Sequence, residues 1–317
     1  RAVNIGNDAY EKLGEDKCMS HLLNSPGNFT ASKLKWVKEN EPHIYEKIYK
    51  YMLPGDYIAY KLTGEINTTR NGLSEGIIWD YKENQTANWL LSFYGIDSSL
   101  TPEIIDNFSN QGITNSKSSE ETGLNIGIPI TYRAGDQPNN ALALNVFDNG
   151  EVAASGGTSG VIYSITNDIN SKEPSRINHF AHVNYNDNNK SIGKLLCING
   201  AGIQYRWLRN HSVGKSYEKM NEAASSIPVG SEGISVIPFG NGAERMLNNK
   251  NIGTHICNIN LNQHSHGHLY RSSLEGIAFS FMYGMEILKN DNALINVVRA
   301  GNDNLFRSKI FANTVAT

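Results

Sequence analysis

The sequence predicts a layered α/β protein of two domains, on three observations. Segments with helical and strand periodicity alternate along the chain. Its 317 residues suffice for about two domains of ordinary size. Two glycine-bearing polar clusters, Ala134-Gly135-Asp136-Gln137 and Gly156-Gly157-Thr158-Ser159-Gly160, each follow a run of strand type, where α/β proteins gather their ligands. The break at Asp148-Asn149-Gly150 predicts a boundary between a domain over 1–147 and one over 148–317.

In chain order, residues 30–53 read as two helical pieces. Leu34 and Val37 repeat at helical spacing, then Ile44, Ile48, Tyr51 and Met52, with Asn40 as a cap and Pro42 in the following first turn. Asp56 to Lys61 predicts a short helix closed by Gly64. Thr86 to Tyr94 predicts another, with Trp89, Leu90 and Phe93 inward and Gly95 at its end. Ile128 to Tyr132 is a compact run of strand type that delivers Gly135-Asp136 past its C-terminal end, and Gln137 to Asn145 can form a helix. Glu151 to Ser155 and Val161 to Thr166 predict a hairpin. Further on come a strand at Gly193 to Ile198, a glycine turn at Asn199 to Gly202 and a helix from Ile203 to Leu208. Ile234 to Pro238 reads as a strand, Leu269 to Leu288 as a long apolar helix whose stripe is core, and Ile295 to Val298 as a last strand.

Composition excludes several classes. A net charge of −3 gives no electrostatic case for nucleic acid or an anionic membrane surface, and no apolar stretch approaches the roughly 18 residues that span a bilayer. Cys18, Cys197 and Cys257 are odd in number and far apart, which suits a reducing compartment, so the cytoplasm is the expected location. The chain opens on Arg1 rather than Met and ends within a helical pattern, Leu305 to Val315; the expectation is a piece of something longer. His264, His266 and His268 alternate, but the surrounding pattern favours a helix start, where only His264 and His268 share a face, and no metal site is assigned to them. Trp79 and Trp207 are read as packing residues.

The chemistry lies in the two polar clusters. In the hairpin turn, glycines permit positive φ and leave backbone N–H groups uncovered for an anion, with the Thr158 hydroxyl as one more donor. Alone, that turn is equally an ordinary Gly-rich hairpin, and an Asp between a glycine and Pro138 can simply shape a bend. A carboxylate able to take a proton, close in sequence to an anion cradle, suits phosphoryl transfer.

At this point the residues resemble the FGGY family of carbohydrate kinases. Lys33-Leu34-Lys35-Trp36-Val37-Lys38-Glu39-Asn40 is similar to the family's first signature, and Asp56-Tyr57-Ile58-Ala59-Tyr60-Lys61-Leu62-Thr63-Gly64-Glu65 to the segment after it. His264 to Phe281, with Leu269-Tyr270-Arg271 and Leu274-Glu275-Gly276, resembles the second. The resemblance implies the actin-like ATPase (ribonuclease H-like) fold, with a cleft between an N-terminal sugar-binding domain and a C-terminal nucleotide-binding domain. It implies that Asp136 is the general base and that Gln137 holds a sugar hydroxyl. Gly157, Thr158, Gly160, Gly200, Gln204, Gly301 and Asn304 would contact nucleotide. Closure of the domains would exclude water.

The implied reaction is transfer of the γ-phosphoryl of ATP, with Mg²⁺, to a terminal hydroxyl of a ketopentose, D-xylulose first. Ribulose, glycerol and gluconate are the alternative acceptors, and a non-catalytic actin-like nucleotide-binding module is the reading from another class. The implied partners are sugar and ATP, with a homodimer as one assembly open to it. Two departures stand out. Arg299 and Ala300 replace the first glycines of the family's adenosine loop, and the N-terminal segment carrying the first phosphate loop is missing, so this piece alone is expected to be inactive.

Overall fold

The structure is a computed structural model and describes residues 1–212 and 216–317. It divides into two compact units. The first comprises Arg1–Asp148, Ile165–Pro174 and His179–Gly193; the second comprises Asn149–Ser164, Ser175–Asn178 and Lys194–Thr317. The sequence reading cuts the chain once, whereas two later segments return to the first unit.

The first unit is mainly helical: α1 (Val3–Leu13), α2 (Glu15–Leu22), α3 (Thr30–Asn40), α4 (Pro42–Tyr45), α5 (Pro54–Thr63), α6 (Arg70–Glu75), α7 (Asn88–Phe93), α8 (Ser116–Thr122) and α9 (Asp136–Ala143). Its β structure is short. Strands β1 (Asn67–Thr69) and β4 (Glu103–Ile105) pair in parallel, and β2 (Trp79–Asp80) and β3 (Gln85–Thr86) pair antiparallel. Leu22, Leu73, Ile77, Leu90 and Leu91 are buried in this unit.

The helix α5 ends at Gly64, which takes the left-handed conformation (φ 84°) that a C-cap requires and an L side chain resists. The second helical piece of 30–53 is only the single turn α4. Pro54 pushes Leu53 to an extended conformation (ψ 162°), and the segment before it is drawn out against residues 98–101. Tyr51 donates its N–H to the Leu100 carbonyl at 3.2 Å, its hydroxyl meets Thr101 Oγ1 at 2.8 Å, and Lys50 Nζ reaches the Ser99 and Thr101 carbonyls. Phe93 also departs from expectation. It is 37 % exposed, while Leu91 and Tyr94 share the inner face with Leu90.

The return of residues 179–193 to the first unit has a local cause. Side-chain amides and a hydroxyl of that unit satisfy the backbone of the segment: Asn24 Nδ2 donates to the His179 carbonyl (2.6 Å), and Asn71 Nδ2 to those of Ala181 and His182 (2.9 and 2.6 Å). Asn107 Nδ2 donates to Val183 O (2.9 Å), and Ser74 Oγ accepts from Ala181 N (2.7 Å). Buried backbone groups must find partners, and here polar side chains supply them.

The second unit is built on β5 (Glu151–Gly156), β6 (Gly160–Thr166), β8 (Ile192–Ile198) and β11 (Val297–Ala300), in the order β11-β5-β6-β8. Strand β7 (Asn178–Ala181) precedes β8 in the chain, and β9 (Ser235–Phe239) and β10 (Gly253–Cys257) form a separate antiparallel pair. The hairpin β5–β6 is antiparallel and closes at Gly156 opposite Gly160, as the sequence predicts; β11 runs parallel to β5. Helices α10 (Gly202–His211), α11 (Tyr217–Ser225), α12 (His266–Asn290) and α13 (Lys309–Ala316) complete the unit. Leu274, Ile277, Phe281 and Leu288 of α12 pack with Val152, Ile162, Leu196, Ile198 and Phe311 in one core. No helix among the described residues is long and apolar enough to cross a membrane.

Candidate active site

The segment that carries Asp136 is extended but is not the predicted strand. Residues 128–130 bond to 111–114, with the Gln111 N–H on Ile130 O at 2.8 Å and the Thr114 N–H on Ile128 O at 2.9 Å, yet only the Ile113–Pro129 bridge forms. Pro129 has no N–H to give, and Ile113 and Ile128 are exposed, so no buried face fixes a longer ladder.

What anchors the segment instead is Arg133. Its Nε donates to Asp56 Oδ1 (2.8 Å), Nη1 to Gln111 Oε1 (3.1 Å), and Nη2 to the Asn67 carbonyl and Oδ1 (2.8 and 2.7 Å). Asp56 is fixed in turn by the Thr68 hydroxyl (2.9 Å). Burial pushes the Asp56 carboxyl up while Arg133 pulls it down. A bidentate or forked guanidinium network of this kind sets backbone position, three residues before Asp136.

Gly135 is the N-cap of α9 and Asp136 its first residue. Asp136 is exposed, at a helix end where a carboxylate is favoured by the dipole. Gly135 has φ −70°, so its need is not conformational. A Cβ there would overlap the Glu75 carboxyl, whose Oε1 accepts the Gly135 N–H at 3.0 Å. Burial pushes the Glu75 carboxyl up to about 7; the Asp136 charge adds to the rise, and the Gly135 N–H opposes it. Next along α9, Gln137 keeps its Oε1 buried with no hydrogen-bond partner among the described residues.

In the second unit the predicted residues converge at one end of the sheet. The Gly157 and Thr158 carbonyls accept the N–H groups of Gly202 and Ile203 at 3.0 and 3.1 Å, so the hairpin turn caps α10. Ser159 Oγ bonds Asn199 Oδ1 at 2.9 Å. Because β11 parallels β5, Gly301 emerges at the same end as Gly157, and Leu305 packs beside Gly156. Asn304 is exposed and its Nδ2 bonds Asp303 at 2.9 Å.

The glycines here serve close packing. The hairpin's Gly156, Gly157 and Gly160 do not take the positive φ expected of them. A Cβ on Gly160 would lie 2.6 Å from Phe281 Cζ. Gly200 does take positive φ (95°), and its backbone lies against the Pro238 carbonyl. Gln204 is buried, with Oε1 accepting from Thr254 Oγ1 at 2.8 Å and Nε2 unpartnered among the described residues. Thr158 is exposed.

Other expected features resolve into packing and caps. His268 Nδ1 accepts from Ser265 N at 3.0 Å in a capping box at the start of α12, and its Nε2 meets Glu232 at 3.1 Å; His264 Nδ1 accepts from Asn260 N. Trp79 is buried, whereas Trp207 is half exposed and stacks on His211. A cavity of about 270 Å³ lined by Arg70, Asp106, Asn107, Phe108 and Asp187 contains none of the predicted site residues.

Residues 11–143 match the N-terminal domain of the FGGY family of carbohydrate kinases. The xylulose kinase of Staphylococcus xylosus is 27 % identical over 319 residues, covering 98 % of this chain. Over residues 11–143 the chain is similar to the FGGY family of carbohydrate kinases. It spans 65 % of the length of that relative. The xylulose kinase of Rhodospirillum rubrum superposes on all of this chain with a TM-score of 0.86 at 22 % identity, and the Plasmodium falciparum glycerol kinase with ADP does so at 0.86 and 21 %. The chain covers 63 % of each. These likenesses establish the actin-like ATPase fold.

Glu75, Arg133 and the Thr254–Gln204 pair were not foreseen. The one available signal was a carboxylate inside the apolar run Leu73-Ser74-Glu75-Gly76-Ile77-Ile78-Trp79, where an unpaired charge is costly.

Proposed function

We propose that the protein containing this chain is an ATP-dependent sugar kinase that phosphorylates a terminal hydroxyl of a ketopentose, D-xylulose first. The observation that carries this reading is the exposed Asp136 carboxylate on the first turn of α9, backed by a turn tied to Arg133 and Glu75. The xylulose kinase relatives favour the ketopentose; the glycerol kinase likeness keeps the polyol open as an acceptor.

A sugar alcohol is a poor nucleophile at neutral pH. Asp136 takes its proton as the bond to the γ-phosphorus forms and the bond to the ADP oxygen breaks. Gln137, next along α9, is the residue we assign to hold a neighbouring sugar hydroxyl, through an amide that can both donate and accept. ATP supplies the phosphoryl group. With the Gly157 and Thr158 carbonyls committed to α10, their N–H groups and the Thr158 hydroxyl are what the turn offers a phosphate. Gln204 Nε2, Gly301 and Asn304 lie at the same sheet end for the rest of the nucleotide, while Gly160 and Gly200 keep the backbone close enough to form it. Mg²⁺ would accompany the nucleotide, held by its phosphates together with one or two carboxylates.

The test is Asp136→Asn in the full-length protein. Turnover by ADP release should fall about 10²–10⁴-fold, the range of general-base catalysis, with the sugar dissociation constant by calorimetry little changed. Equal kcat in variant and parent overturns the role, and the same assay over xylulose, ribulose, glycerol and gluconate assigns the acceptor.

A further inference from the structure

Glu75 is the unexplained group beside this site. It ends α6, sixty residues from Gly135 in sequence, yet its Oε1 accepts the Gly135 N–H at 3.0 Å and its carboxyl fills the space a Cβ would need. We propose that Glu75 is a positioning residue for Asp136: while ionised it grips the Gly135 amide and fixes the turn that presents the base, and once protonated it weakens that grip. The inference rests on the reading of Asp136 as the base.

A charged acceptor makes a hydrogen bond roughly twice as strong as a neutral one, so protonation loosens the turn without removing the side chain. The groups facing Glu75 are Asp136 on α9, Asp56 on α5 with its Arg133 partner, and the Tyr132 and Tyr81 hydroxyls, both of which feel its charge. Burial first, then the Asp136 and Asp56 charges, raise the cost of ionising Glu75, and its carboxyl is pushed up to about 7. The switch therefore falls at neutral pH. Turnover should fall on the acid side with a midpoint near that value, an ionisation belonging to Glu75.

The experiment compares kcat against pH for the full-length parent, Glu75→Gln and Asp136→Asn. The Gln amide keeps an acceptor for Gly135 and has no charge. The expected result is a Glu75→Gln profile flat where the parent's falls, with a plateau about 3- to 10-fold lower, as for one weakened hydrogen bond. A Glu75→Gln profile that keeps the parent's acid limb overturns the proposal. Asp136→Asn with parental kcat overturns the base reading instead, so the two failures are distinct. Should Glu75→Gln not fold, the parent decides: the Gly135 amide resonance should titrate together with the Glu75 carboxyl carbon, and a Gly135 amide that stays fixed as that carbon titrates overturns the proposal.

Discussion

Two turns are proposed to carry the chemistry, and they owe their glycines to opposite partners. At Gly135 the close neighbour is a titratable carboxyl, Glu75, and the turn's N–H is spent on it. At Gly156–Gly160 the neighbours include the Phe306 and Phe281 rings, and it is the turn's Gly157 and Thr158 carbonyls that are spent, on the first N–H groups of α10. One turn is held by a group that can change charge. The other is held by groups that cannot. Pre-organisation of the acidic turn should therefore depend on pH, and that of the glycine turn on packing alone.

The sharpest way to break this comparison is to fill each space. Gly135→Ala drives a methyl into the Glu75 carboxyl, and we expect about 3 kcal/mol of destabilisation, read as a shifted urea midpoint, with turnover of the full-length protein down more than about 100-fold. Gly135→Ala combined with Glu75→Ala should recover most of the stability and little of the rate. Gly160→Ala meets Phe281 at 2.6 Å and Ile198 Cβ at 3.3 Å, and should cost about 2 kcal/mol, recovered in part by Phe281→Leu and unaffected by pH. If both losses respond equally to pH, the contrast fails.

A second comparison isolates the charge. The Glu75 carboxyl sits near 7 in the fold against an ordinary value of 4.5, so the native state holds the proton more tightly than the unfolded chain does. That contribution to stability is fully present below pH 4.5 and is lost as pH rises through 7. Glu75→Gln should thus match the parent at pH 4.5 and exceed it at pH 8, by at most about 3 kcal/mol on the linkage relation. Urea midpoints at the two pH values read it. A variant less stable than the parent at pH 8 would mean that the ionised carboxylate is well compensated, and the cost assigned to its charge would be wrong.

How much of this was legible depended on the range of the forces involved. The hairpin, Gly64 and α12 follow from neighbours within a few residues, and each stands where its pattern points. Asp136 and Thr158 were legible as motif positions. Ile128–Tyr132 has strand composition, but Ile128 stays 38 % exposed, and composition alone does not choose a buried face. Phe93 turned outward because Leu91 and Tyr94 filled the inner face. The return of 179–193 to the first unit hangs on Asn24, Asn71 and Asn107, whose amides act over spans of 76 to 155 residues. Glu75 stands out in sequence only as a carboxylate in an apolar run, and nothing local says that its partner is Gly135, sixty residues on. Polar partners distant in sequence leave no periodicity to detect.

The smallest expected effect tests the glycine turn's own side chain. Thr158 is exposed, so Thr158→Val should leave stability within about 0.5 kcal/mol of the parent, as surface substitutions do. If its hydroxyl donates to a nucleotide phosphate, the variant loses one hydrogen bond worth about 1 kcal/mol, and the KM for ATP of the full-length protein should rise roughly 3- to 10-fold with the sugar KM unchanged. The loss should be the same at pH 6 and pH 8, because no titratable group among the described residues holds this turn, whereas the Glu75→Gln effect should differ between them. A pH-dependent Thr158→Val effect would mean that an ionisable group outside the turn governs both sites, and the division between a switchable turn and a fixed one would have to be abandoned.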